Sequence, residues 1–71
     1  MIGSWVPASG DVAVPKDKAS YHVVIVASDD DTVLFYQVAD AKRGPNITNR
    51  LSTFVDRFEL LYRAEEAPDG E

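Results

Sequence analysis

The feature that most constrains the fold is the stretch YHVVIVASDDDTVLFYQVA, residues 21–39, in which two apolar runs flank three aspartates. Both runs are rich in β-branched and aromatic residues, which pack well on a pleated surface, and this composition predicts a β-hairpin. Aspartate bonds to its own backbone and tolerates turn dihedrals, so Asp29, Asp30 and Asp31 are predicted to form the hairpin loop. Calcium loops alternate their acidic residues and add a glycine and a distant glutamate, a spacing this stretch lacks, so no metal site is predicted here.

Alternation of the side chains predicts a register for this hairpin. Pairing Ala27 with Thr32 gives one nearly apolar face, formed by Tyr21, Val23, Ile25, Ala27, Thr32, Leu34, Tyr36 and Val38. A slip of one residue would exchange the two faces of a strand, so this register is favoured. The second face is mixed, with His22 opposite Gln37, which indicates a curved sheet covered on both sides over part of its length, as in a small barrel.

The length of the chain bounds its function. A chain of 71 residues buries about 60% of the surface that its unfolded form exposes, and such a core supports only ~3–5 kcal/mol of stability. A core, a cofactor pocket and a catalytic constellation do not fit together at this size, so we expect neither an enzyme nor a cofactor. We expect one β-rich domain over residues 1–63 and a disordered acidic tail, AEEAPDGE, over residues 64–71.

Cysteine usage and the N-terminus predict the compartment. Without cysteine, disulfides and thiolate metal sites are excluded. The start MIGSWVPASG lacks the basic residues and the apolar segment of a signal peptide. The longest apolar run, residues 23–27, is far shorter than the ~20 residues that a membrane helix needs. We therefore expect a soluble cytoplasmic protein.

Proline and glycine divide the rest of the chain. Pro7 and Pro15 each lack a backbone donor, so any strand near them is predicted to be short or at an edge, with Trp5 packing over one end of the core. The stretch DAKRGPN, residues 40–46, is predicted to be a loop because it is charged and contains Gly-Pro-Asn.

The segment ITNRLSTFVDRFELLYR, residues 47–63, has two interpretations. Its apolar residues recur at helical spacing, which predicts a long amphipathic helix packed on the hairpin. Its many weak helix formers favour instead a strand over residues 47–50, a short helix capped by Ser52 and ending near Arg57, and a closing strand over residues 59–63.

A resemblance favours the second interpretation. TVLFYQV, a loop and NRLSTF resemble small phage and prophage domains of SH3-like type, in which a strand ending in an aromatic-Gln pair leads to an Arg-Leu-Ser-x-Phe turn. The similarity covers residues 20–60, although the chain lacks the second tryptophan or Arg-Pro pair that many such domains show near Arg50. It implies a small SH3-like barrel with one short helix and a phage or prophage origin, and it carries no active-site residues.

Three functions compete on these observations. A protein-interaction module would use the aromatic side chains as anchors, namely Trp5, Tyr21, Tyr36 and Tyr62. A nucleic-acid-binding barrel would use the cations of residues 42–63, namely Lys42, Arg43, Arg50, Arg57 and Arg63. An acidic DNA mimic would use the aspartate loop and the tail. The first is favoured, because the acidic loop and tail oppose a phosphate-attracting field. The lone His22, in a strand, does not indicate a catalytic base.

Overall fold

Five strands and one short helix make up the fold. The computed structural model describes residues 5–17 and 20–64. Along the chain the elements are β1 (Val12–Pro15), β2 (His22–Ser28), β3 (Thr32–Ala39), β4 (Lys42–Arg50), α1 (Leu51–Arg57) and β5 (Phe58–Tyr62). The strands form one antiparallel sheet in the order β4-β3-β2-β1-β5. This order, with a short helix between the fourth and fifth strands, is that of a small SH3-like barrel, as predicted. The alternative of one long C-terminal helix is wrong.

The hairpin of β2 and β3 is confirmed, but its predicted register is wrong. Ile25 pairs with Phe35, and a bulge at position 26 shifts the register so that Ser28 pairs with Val33. Val23, Ile25, Val33 and Phe35 are consequently the buried residues. The bulge places one extra residue in β2, which simple alternation does not anticipate. Tyr36 and Val38 therefore lie on the face opposite the core, and His22 pairs with Val38 rather than with Gln37.

The predicted loop over residues 40–46 is also wrong, because most of it belongs to β4. Asp40 and Ala41 alone form the connection, with φ of 54° and 62°, and positive φ at both positions is what a tight type I′ hairpin turn requires. Pro45 is tolerated because β4 is an edge strand, where a missing backbone donor breaks no ladder bond.

The short helix is confirmed and ends at Arg57 as predicted, but it begins two residues earlier than a cap at Ser52 would place it, and Ser52 does not cap it. The residue before the first turn is Arg50, which makes no side-chain capping bond. The Leu51 backbone N–H instead donates to the carbonyl of Asp31, at 2.8 Å. This bond fixes the start of α1 to the loop between β2 and β3.

Stacked aromatic rings fill the core between the sheet and α1. Phe54, which is 0% exposed, stacks on Phe58 with ring centroids 4.6 Å apart, and Phe35 lies 4.9 Å from Phe54. Trp5 packs edge-on against Phe54 at 5.8 Å, which confirms its predicted place on the core. β1 is short, as predicted, although it lies inside the sheet, between β2 and β5.

One buried carboxylate joins the two ends of the described chain. Asp11 is 2% exposed, and it accepts hydrogen bonds from the backbone N–H groups of Ala8 (3.0 Å) and Ala64 (3.1 Å). Arg63 Nη1 lies 3.4 Å from the same carboxylate. The predicted disordered tail falls, after Ala64, outside the described residues. Within the residues described, no helix has the length and apolar character to cross a membrane.

Candidate protein-binding face

The sheet face that points away from the core, here called the outer face, carries an unbroken row of side chains. Successive strand pairs place five residues side by side, in the order Tyr62, Val12, Val24, Tyr36 and Asn46. Because side chains alternate along a strand, their neighbours Ala13, Val23 and Phe35 point into the core instead. The row therefore crosses all five strands and includes two of the four predicted anchors, Tyr36 and Tyr62, with Val12 and Val24 between them.

A groove lies beside this row, at the end of the sheet nearest the β3–β4 turn. Its volume is about 290 Å³, and it is lined by Val14, Ser20, Tyr21, His22, Val38, Ala39, Asp40, Ala41 and Leu61. Leu61 occupies the irregularity in the pairing of β5 with β1 and is 53% exposed. The groove is therefore lined by apolar side chains, of which Leu61 is exposed, together with polar ones that include His22 and Asp40.

Burial is uneven across the outer face. Val12 is only 7% exposed, whereas Val24, Leu34, Tyr36 and Val38 are half-buried. The helix does not cover these residues, since its buried Phe54 packs in the core on the other side of the sheet. Apolar side chains on β2 and β3 thus remain partly in contact with solvent.

A preformed cluster of three residues lies at the β4 side of the row. The guanidinium carbon of Arg43 lies 4.0 Å from the centroid of the Tyr36 ring, and Nη2 of Arg43 donates to Asn46 Oδ1 at 2.8 Å. The strand pairing brings them together, because Asn46 pairs with Tyr36, and Arg43 pairs with Val38 across an irregularity at Gln37. The sequence indicated Tyr36 and Arg43 as candidate binding residues, but it predicted neither their contact with each other nor the part played by Asn46.

The other two predicted anchors, Trp5 and Tyr21, contact the core, although Tyr21 also lines the groove. Trp5 packs on the core. Tyr21 is half-buried, packs against the core, and lines a larger cleft of about 470 Å³ with Pro15, Lys16, Asp17, Asp56, Arg57 and Phe58. Two cations and two acids line that cleft, so its walls show no charge preference.

The predicted basic residues do not form one surface. Arg43 and Arg50 lie at opposite ends of β4, seven residues and thus ~23 Å apart. Arg57 ends α1 and faces the larger cleft, and Arg63 is engaged with Asp11 and the carbonyl of Val6. Lys42 is exposed beside the β3–β4 turn. Only Lys42 and Arg43 are neighbours.

The aspartate cluster is a turn, as predicted. Asp29 Oδ1 accepts the backbone N–H groups of Asp31 and Thr32, both at 2.8 Å, and the Thr32 hydroxyl at 3.2 Å. These bonds, chiefly from the Thr32 and Asp31 backbone, lower the pKa of the Asp29 carboxyl below its usual range. Within residues 5–17 and 20–64, no three acidic or histidine side chains come together as a metal site.

Comparison with protein-family models, with curated proteins and with solved structures finds no match to this chain. The resemblance to phage domains therefore stays a prediction, and the case for function depends on the geometry of the outer face.

Proposed function

We propose that this domain is a non-enzymatic protein-interaction module that binds a protein partner through its outer face. The main supporting observation is the row Tyr62, Val12, Val24, Tyr36 and Asn46, which crosses the sheet on the face away from α1. Val24, Tyr36 and Tyr62 of this row are only half-buried among the described residues. A contiguous, partly exposed apolar surface of this kind marks an interaction site in soluble proteins. In the setting that the resemblance implies, the module is a phage or prophage accessory protein that binds a host or phage protein.

The chemistry of the face supports a protein as the partner. Tyrosine and arginine are the residues that most often dominate binding energy at interfaces, and both are present here in Tyr36, Tyr62 and Arg43. The groove beside them, with Leu61 at its rim, suits an apolar side chain of the partner. Aromatic anchors next to an apolar groove favour a folded or extended polypeptide over a phosphate backbone.

The test is affinity capture from host lysate with the full chain as bait, in wild-type form and as V24D. Val24 lies at the centre of the row, so a carboxylate there should abolish capture of the partner by desolvation cost alone. V6D is the matched control, because Val6 is 72% exposed and lies outside the sheet. Y36A is a second variant in case V24D loses its fold, which circular dichroism monitors.

The proposal requires proteins that wild type and V6D retain, that V24D and Y36A lose, and that nuclease treatment leaves in place. Retention of the same proteins by V24D and Y36A would contradict the outer face as the binding site. Loss of all captured proteins after nuclease treatment would favour the runner-up, a nucleic-acid-binding barrel. The separation of Arg43, Arg50 and Arg57 in space argues against that runner-up. The DNA-mimic alternative depends largely on a tail that lies outside the described residues.

A further inference from the structure

We propose that Arg43, stacked on Tyr36 and held by Asn46, is the receptor for a carboxylate of the partner, so that the bound segment is both acidic and apolar. This inference rests on the proposed function and names the chemistry of the partner. The bound partner segment would place an aspartate or glutamate against the β4 side of the outer face and an apolar side chain in the groove.

The geometry of Arg43 leaves its binding edge open. The guanidinium carbon lies over the Tyr36 ring, 4.0 Å from its centroid, and Asn46 Oδ1 accepts one donor, from Nη2. The ring contact takes up no N–H donor of Arg43 in a hydrogen bond to an oxygen or nitrogen atom. The guanidinium has several N–H donors arranged as a fork that matches a carboxylate in two parallel hydrogen bonds. Within residues 5–17 and 20–64, Asn46 is the one hydrogen-bond acceptor of Arg43, so the remaining donors are available to a ligand.

The same contacts hold Arg43 in place before a ligand arrives. A free arginine side chain loses rotamer entropy when it binds, at about 0.5–1.5 kcal/mol for a rotamer-rich side chain at an interface. Here Tyr36 and Asn46 pair with each other across β3 and β4, so both supports of Arg43 belong to one rigid ladder. Part of the ordering cost is met during folding, which makes this arginine a better receptor than an isolated surface arginine.

Charge on β4 selects an acidic ligand. The outward positions of β4 hold Arg43, Asn46, Thr48 and Arg50, with exposed Lys42 next to Arg43 and no acidic residue in the strand. Among the described residues the only ion pair joins Arg63 to Asp11, so no carboxylate of the described chain competes for Arg43. Phosphate would also match the fork, but the apolar row and groove beside it favour a protein segment.

The test is selection of random peptides displayed on phage against the immobilised full chain, with R43Q as the main variant. R50Q is the matched control, because Arg50 lies on the same strand, pairs with Thr32 on the same face, and loses the same charge. V24D tests the face itself. We expect wild type and R50Q to select peptides enriched in Asp or Glu next to an aliphatic or aromatic residue. R43Q should keep the apolar enrichment and lose the acidic one.

The affinity of one selected peptide then measures the interaction between its acidic residue and Arg43. Replacing its acidic residue by the amide should weaken binding to wild type about 10-fold or more, the size of a hydrogen bond to a charged group, and should leave binding to R43Q unchanged. N46D should weaken the acidic peptide as R43Q does, because the new carboxylate occupies the Arg43 fork from within the chain.

The outcomes separate the two proposals. Two outcomes would overturn Arg43 as the carboxylate receptor without contradicting the outer face as the binding site. In the first, the peptides lost by V24D show no enrichment in acidic residues. In the second, R43Q still selects acidic peptides. Equal selection by wild type and V24D, or no selection by either, would contradict the proposed function itself. Displacement of a selected acidic peptide by single-stranded oligothymidine more readily than by the free peptide would assign the fork to phosphate and overturn the inference.

Discussion

At the scale of one residue, the buried Asp11 joins segments near the two ends of the described chain. A carboxylate that is 2% exposed would be costly without partners, because burial disfavours a charge that loses its water. Here two backbone N–H groups and Arg63 replace that water. The pair with Arg63 contributes modestly, since the Arg63 side chain is 39% exposed and solvent screens it. The two backbone bonds are therefore the main reason for an aspartate at this position.

D11A should lower the free energy of unfolding by about 1–3 kcal/mol, because it leaves the Ala8 and Ala64 donors without their acceptor. Urea unfolding followed by Trp5 fluorescence measures this loss, since Trp5 is the only tryptophan and packs on the core. D17A is the control, because it removes the same charge from an exposed position. Equal stability of D11A and D17A would show that the buried carboxylate does not tie the ends together.

Asp29 makes stability depend on pH in a defined direction. Its hydrogen bonds lower its pKa in the folded state relative to the ordinary value of 3.8, so the ionised form stabilises the fold above that value. The contribution is lost as pH falls through the lower folded-state pKa. D29N keeps an acceptor oxygen but cannot titrate. Its urea midpoint should fall less than that of wild type between pH 5 and pH 2.

The control for this pH series is D30N, a change at the adjacent exposed loop position, for which no comparable set of bonds to the backbone is present. Identical pH profiles for wild type and D29N would show that the bonds to Thr32 and Asp31 do not stabilise the ionised form. Added calcium should leave all three profiles unchanged, since the aspartates form a turn.

At the scale of one element, the β3–β4 turn holds an alanine in a backbone conformation that favours glycine. Ala41 has φ of 62°, a left-handed value that costs an L-residue with a β-carbon roughly 1–2 kcal/mol. A41G should remove this strain. Because glycine also makes the unfolded chain more flexible, which opposes folding, the free energy of unfolding should rise by only about 0.5–1 kcal/mol. Thermal or urea unfolding measures it.

A39G is the matched control for that change. Ala39 is the last residue of β3, where the backbone is extended and glycine only adds unfolded-state entropy, so A39G should destabilise. A loss of stability in A41G as well would show that the turn does not store strain.

The same turn explains part of what the sequence could not predict. The hairpin of residues 22–39 follows from its β-branched runs. The weak helix formers of residues 47–63 left two interpretations open, and the resemblance favoured the short helix with a closing strand. The β3–β4 hairpin does not follow from the sequence, because Asp40-Ala41 lacks the Asn-Gly signature of a tight turn, and Gly44-Pro45 reads as a loop in a strand that tolerates it at the sheet edge. Because residues 40–46 were predicted to form a loop, the pairing of Asn46 with Tyr36 could not be predicted.

The bulge in β2 had a larger effect on the predicted site than on the predicted fold. One extra residue at position 26 exchanges the faces of β3 relative to β2. Val23 and Ile25 stay in the core as predicted, but Tyr36 and Val38 move from the predicted core to the outer face. Tyr36 was still proposed as an anchor, since an aromatic residue in a half-polar strand favours either role. Arg63 was proposed as a phosphate ligand, because sequence separation conceals its buried partner Asp11.

At the scale of the whole molecule, stability depends on a few aromatic rings. Phe54 stacks on Phe58 and contacts Phe35 and Trp5, so it links the helix, the sheet and the N-terminal segment. Removal of a buried phenylalanine ring costs about 3–5 kcal/mol, which equals the ~3–5 kcal/mol that a core of this size supplies.

F54A should therefore be largely unfolded at room temperature, with loss of the strand signal in far-UV circular dichroism. F54L should fold with reduced stability, because it retains most of the apolar volume. S52A, a change at an exposed position of the same helix, should fold normally. A cooperative unfolding transition in F54A within about 1 kcal/mol of wild type would contradict the central role of this ring.

The hydrogen bonds of Asp11 also indicate that the chain tolerates circular permutation. Residues 8 and 64 share one carboxylate, so the backbone comes close together at these two positions. A flexible linker that joins the two ends of the chain and keeps Trp5 on the core would close the polypeptide into a ring, which could be reopened at the exposed Asp30 in a circular permutant. Asp30 lies in the β2–β3 loop, at the opposite end of these strands from His22, Val38 and Ala39, which line the groove. New chain ends at Asp30 would therefore leave the groove facing solvent.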